Sequence, residues 1–99
     1  MASIAQTRSG KVEGEERAGV HVFRGIPYAA PPVGAKRWRA PDKPEAWSGV
    51  RKATAFGAAA PQNPVALEAL AAFVIKEPQS EDCLFLNVWT PGLDGARRP

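Results

Sequence analysis

Hydrophobic and polar positions alternate only in short runs at the start of this chain. Ile4, Gln6 and Arg8 alternate weakly with Ala5 and Thr7, and Ser9-Gly10 carries a turn signal. Lys11-Val12-Glu13 reads as a brief strand. The polar run Gly14-Glu15-Glu16-Arg17-Ala18-Gly19 reads as a turn. Val20-His21-Val22-Phe23 then places β-branched residues at period two, as a strand requires. Residues 2–24 thus predict a small antiparallel hairpin or meander.

The pattern breaks over residues 25–49. Gly25, Pro27, Pro31, Pro32, Gly34, Pro41, Pro44 and Gly49 punctuate it. Each proline fixes φ and removes a donor, so neither a helix nor a central strand persists. Ile26, Tyr28, Val33, Trp38 and Trp47 are nevertheless large and apolar. The expectation is an extended segment that lies on a body and is anchored by its aromatics. Val50 to Ala53 follows as a short strand or turn, and Phe56 to Gln62 as a small-residue loop. Asn63 suits an N-cap and Pro64 the first helical position. Leu67, Leu70, Ala71 and Val74 then follow helical spacing, which predicts a helix over Val65 to Ile75, ended by Glu77-Pro78.

Leu84-Phe85-Leu86-Asn87-Val88-Trp89 is the clearest strand, stopped by Pro91-Gly92. A near-continuous apolar run suits a strand covered on both faces. These 99 residues predict one weak helix and a few short strands, so other polypeptide must supply the cover. Composition agrees with a single marginal domain: 44% of residues are hydrophobic, and ten Pro and nine Gly make the chain loop-rich. The net charge of +3 is a weak excess. The single cysteine, Cys83, forms no internal disulfide and points to a reducing compartment. Met1 to Gln6 lacks the features of a secretory signal, and no run reaches the roughly 18–20 apolar residues of a membrane span. A soluble, cytoplasmic protein is expected.

Two stretches carry a specific resemblance. The first is Phe23-Arg24-Gly25-Ile26-Pro27-Tyr28-Ala29-Ala30-Pro31-Pro32-Val33-Gly34, followed by Arg37-Trp38, Ala40-Pro41, Trp47-Ser48-Gly49-Val50 and Phe56-Gly57. The second is Ser80-Glu81-Asp82-Cys83-Leu84-Phe85-Leu86-Asn87-Val88-Trp89-Thr90-Pro91. Together, in this order, they resemble the N-terminal part of the type-B carboxylesterase family. The resemblance implies an α/β class and the N-terminal part of an α/β-hydrolase fold, incomplete alone. Residues 1–99 would supply the small antiparallel sheet, the Pro-rich wrap and the first strands of the central sheet. It implies hydrolysis of carboxylic esters through an acyl-serine intermediate, with no metal and no cofactor. The partners implied are a small-molecule ester and the remainder of the same enzyme, with no nucleic acid and no membrane.

The catalytic groups are not expected within these residues. A family enzyme carries its nucleophile on a G-x-S-x-G elbow, followed in chain order by an acid and a histidine. Its oxyanion hole uses a His-Gly-Gly-type turn. Ser3, Ser9, Ser48 and Ser80 fit no such elbow, and His21, the only histidine, lies within a predicted strand. Cys83 reads as an inert buried thiol. The run Lys36-Arg37-Trp38-Arg39 is too short for a nucleic-acid surface. The resemblance instead pairs Arg37 with Glu81 in a structural ion pair. It also sets Leu67, Leu70 and Phe73 as candidates to line the substrate gorge, against the plainer reading that they are core. Two alternatives stand beside the esterase reading. One is a stand-alone, non-catalytic structural or binding module; the other is one chain of a nicked or split esterase.

Overall fold

The structure, a computed structural model, describes residues 2–64 and 74–98. Five strands form one sheet: β1 (Ala2–Gln6), β2 (Lys11–Arg17), β3 (Val20–Pro27), β4 (Val50–Lys52) and β5 (Phe85–Thr90). Their order is β1-β2-β3-β5, and β4 pairs with β2. Every pairing is antiparallel except that of β4, which runs parallel to β2. The helical element among the described residues is a single 3-10 turn, Gly34–Lys36. Of the helix expected over Val65 to Ile75, only Val74 and Ile75 are described, and both are irregular and exposed.

The expected N-terminal meander is present, with one correction. β2 does not stop at Gly14 but continues to Arg17. Gly14 is buried, and a Cβ there would run into the Val22 carbonyl oxygen and lie 2.7 Å from the Phe23 ring. The glycine marks close packing, so the turn shrinks to Ala18-Gly19. Arg17 pairs with Val20, and the two residues between them have φ of 51° and 79°. Positive φ at both central positions gives the hairpin turn whose twist matches its strands. The β1–β2 turn is organised by Thr7, whose hydroxyl donates to the Gly10 carbonyl (2.7 Å) and accepts from the Ser9 and Gly10 amides (3.2 Å each).

β2 and β3 part beyond the Glu15–Val22 pair, and the chain from β4 fills the fork. The Ala53 amide donates to the Glu13 carbonyl (2.7 Å), and the Arg24 amide donates to the Ala53 carbonyl (2.8 Å). Ala53 is buried against Val12 and Phe23, which form the centre of the core, with Ala5, Ile26 and Trp47 packed on it. Fully burying a side chain of the Phe or Val class contributes about 1.5–3 kcal/mol. The Pro-rich segment is stapled to this core by Trp47. Its amide donates to the Ser9 carbonyl (2.9 Å) and its indole N–H to the Lys11 carbonyl (2.8 Å). Gly10 leaves room for the indole: a Cβ there would come within 2.5 Å of it.

The pairing of β3 with β5 shifts register between Phe23 and Ile26. Phe23 pairs with Val88 and Ile26 with Leu86, so Arg24 and Gly25 together oppose Asn87. That extra residue is a β-bulge. In a regular strand, positions three apart face opposite sides. The bulge puts Phe23 and Ile26 on the same side, and both reach the core.

The strand expected at Leu84 to Trp89 is observed one residue later, as an edge of this sheet among the described residues. The expectation of cover on both faces is not met within them: Leu86, Val88 and Trp89 are exposed. The covering layers that an apolar strand calls for are not supplied by these residues. Beyond β5, Arg98 holds Asp94 with both carboxylate oxygens engaged (2.8 and 3.0 Å). That contact lowers the Asp94 pKa to about 2.

Ala18 lies in the left-handed region that an alanine avoids. Ala18→Asn creates the Asn-Gly pair that this turn favours. It is expected to stabilise the protein by about 0.5–1 kcal/mol, read as a higher denaturation midpoint at unchanged slope.

Candidate functional site

The residues that carried the resemblance meet at the β3–β5 bulge. Gly25 has φ +75°, and a Cβ on it would lie 2.6 Å from the Ala55 carbonyl oxygen. Its amide, displaced from the ladder, donates to Asn87 Oδ1 at 3.0 Å. A polar side chain in an otherwise apolar strand thus replaces the lost backbone acceptor. Beyond the bulge, the Tyr28 amide donates to the Leu84 carbonyl (3.1 Å) and extends the ladder.

Arg24 leaves the other side of the bulge. Its guanidinium lies 5.2 Å from the Phe56 ring centroid and 5.9 Å from that of Trp89. Glu15 Oε2 is 3.9 Å from its Nη1. Nε is buried and has no acceptor among the described residues. Its charge is therefore met by two aromatic faces and one distant carboxylate, an arrangement that fastens Phe56 to the sheet.

Arg37 Nη2 stands 3.2 Å from Glu81 Oε1, and both side chains are about half exposed. Lys36 and Asp42 stand 3.6 Å apart beside it. Such exposed pairs contribute about 0–1 kcal/mol each. Their value is positional, since Arg37–Glu81 ties the Pro-rich segment to the approach of β5. The same approach is held by Ala59, whose amide donates to the Pro78 carbonyl and whose own carbonyl accepts from the Ser80 amide (2.9 Å each).

His21 has a partner that strand patterning did not reveal. Ser3 Oγ lies 2.7 Å from His21 Nδ1. The contact joins β1 to β3 across β2, and no short-range spacing announces it. It does not make a nucleophile. Ser3 is only 4% exposed, so substrate cannot reach its oxygen. Glu16 faces His21 in the ladder but makes no ion pair with it among the described residues. A triad base needs an orienting acid as well as a nucleophile within reach.

Cys83 is a free thiol, but it is partly exposed, not buried as expected, because it precedes β5 in irregular chain. A surface concavity of about 620 Å³ is lined by Thr7, Arg8, Ser9, Ile26, Pro27, Tyr28, Lys43, Pro44 and Ala46. It carries hydroxyls and cations but no carboxylate, imidazole or thiol. Leu67, Leu70 and Phe73 lie outside the described residues. Among those described, no group of three or more His, Cys, Asp or Glu side chains converges on a metal position. No described helix is long and apolar enough to cross a membrane.

The chain belongs to the carboxylesterase family, whose sequence profile matches residues 1–99. It is 49% identical over 98 residues to phenmedipham hydrolase of Pseudarthrobacter oxydans, covering 97% of this chain and 20% of that protein. It is 46% identical over 96 residues to the para-nitrobenzyl esterase of Bacillus subtilis, covering 97% and 19%. Human neuroligin-2 also matches, at 41% over 113 residues, covering 93% and 13%. In three dimensions the sheet is similar to a Geobacillus stearothermophilus carboxylesterase (TM-score 0.81, 44% identity, 97% of this chain and 18% of that one). It is also similar to a PNB esterase (TM-score 0.77, 44% identity, 92% and 17%). The chain therefore spans about a fifth of the length of the curated relatives it matches.

The bulge generates a graded prediction. Asn87→Ala leaves the Gly25 amide unpaired and is expected to cost about 1–3 kcal/mol. Asn87→Asp keeps an acceptor in place and is expected to cost less than half of that loss. Denaturant titration of both variants in the intact protein measures the difference.

Proposed function

We propose that this chain is the N-terminal part of a longer serine carboxylesterase that hydrolyses carboxylic esters through an acyl-serine intermediate. The observation that carries the reading is the family match over the whole chain. It is supported by identities of 46–49% to proteins named as a hydrolase and an esterase, of which the chain covers only a fifth. In this reading residues 1–99 build the sheet edge and the Pro-rich wrap. The serine, acid, histidine and oxyanion hole come from polypeptide that follows, on the α/β-hydrolase plan. The exposed apolar residues of β5 are where that polypeptide would pack. Leu67, Leu70 and Phe73 would add an apolar wall to the ester pocket. The free Cys83 thiol fits a cytoplasmic enzyme.

A second reading has one observation in its favour. Neuroligin-2 matches the same residues, and its name denotes no hydrolase. A non-catalytic member of the family would show the same sheet and the same bulge.

Turnover separates the two. The full-length gene product is expected to hydrolyse a para-nitrophenyl ester. A serine-directed phosphonylating reagent should abolish that activity and add one adduct by mass, on a serine outside residues 1–99. Residues 1–99 alone should show no hydrolysis. A full-length protein with neither turnover nor adduct contradicts the enzymatic reading and leaves the non-catalytic one.

A further inference from the structure

The fold treats two tryptophans of the Pro-rich segment in opposite ways. Trp47 is held to the hairpin by its amide and its indole N–H, as described above, with the Arg51 guanidinium 5.4 Å from its ring. Trp38 is 96% exposed. Its backbone has φ +61° and follows the 3-10 turn Gly34–Lys36, whose C-cap is Arg37. A left-handed residue just past a helical turn is a position that glycine or asparagine usually fills. Trp38 therefore carries a conformational cost and an exposed indole together, and nothing in the described residues offsets either.

The turn that precedes it carries two ion pairs. Lys36 is paired with Asp42 and Arg37 with Glu81. The indole is presented outward from a turn that Arg37–Glu81 ties to the approach of β5. Arg39, on its other flank, has no carboxylate within ion-pair range among the described residues. An aromatic anchor beside an unpaired arginine is the composition of an interface centre.

Resting on the reading of this chain as part of a longer carboxylesterase, we infer that Trp38 anchors the Pro-rich wrap onto the polypeptide beyond residue 99. The occupant is an apolar socket of that same polypeptide, with a carboxylate at its rim for Arg39. The length of the relatives points to the same protein as the partner, since about four-fifths of their chains lie outside the match. The strained backbone is then maintained by the contact it makes possible.

The test uses the full-length protein labelled with 5-fluorotryptophan. Trp38→Phe identifies the Trp38 resonance, and its shift between light and heavy water reads exposure. The expected result is a small fraction of the shift shown by free 5-fluorotryptophan, independent of protein concentration. The full shift overturns the proposal, as does protection that appears only on concentration, which would assign the indole to a second copy. Trp38→Gly gives an independent sign. Glycine relieves the left-handed strain, so an idle indole predicts a higher Tm, whereas an anchoring indole predicts a lower one. Hydrolysis of a para-nitrophenyl ester by the same samples reports the enzymatic reading separately. A protected Trp38 in an inactive protein would sink that reading and leave the anchor in place.

Discussion

One extra residue in β3 sets which face the end of that strand turns to the core and how it meets β5. Without the Arg24-Gly25 bulge, Phe23 and Ile26 would face opposite sides, and the end of β3, Ile26 and Pro27, would change face. With it, both reach the core, and Leu86 and Val88 of β5 line up beside them. The bulge needs three things at once. Gly25 must adopt a left-handed φ where a Cβ would meet the Ala55 carbonyl. An acceptor must replace the one the Gly25 amide loses, and Asn87 Oδ1 provides it. The Arg24 amide, turned to the other edge, must find Ala53.

Those requirements explain why distant parts of the chain are locked together. Asn87 lies 62 residues from Gly25, and Ala53 comes from the segment between them. The Pro-rich stretch has no ladder of its own; it is held by Trp47 near one end, by the Tyr28 amide on the Leu84 carbonyl at the other, and by Arg37–Glu81 between them. The result is a frame whose inner face has a small core and whose β5 edge is left apolar and exposed. The buried Ser3 and its histidine partner add a side-chain link between β1 and β3.

Period-two patterning made β3 legible, because Val22, Phe23 and Ile26 reach a real core, and β5 was legible from its near-continuous apolar run. The β2–β3 turn was misplaced because Gly14 looks like punctuation in a polar run, whereas the close approach of the Val22 carbonyl and the Phe23 ring is what requires it. β4 was legible only as an alternative between strand and turn. Its three residues, Val50, Arg51 and Lys52, are all exposed, and parallel pairing with β2 leaves no local pattern. The Ser3–His21 contact was invisible for the same reason, since it spans two strands. Asn87 could have been found, because a lone amide in an apolar strand calls for a partner. The family was legible because Gly25, Arg37, Glu81 and Asn87, which the resemblance rested on, are residues that hold this frame together.

Amide hydrogen exchange at Gly25 in the intact protein tests the central claim most directly. If Asn87 closes the bulge, the Gly25 amide is protected as strongly as the Arg24 and Tyr28 amides on either side of it. An amide at Gly25 that exchanges at the rate of an open loop, while Arg24 and Tyr28 stay protected, would contradict the account. It would mean that the register shift is held by packing alone.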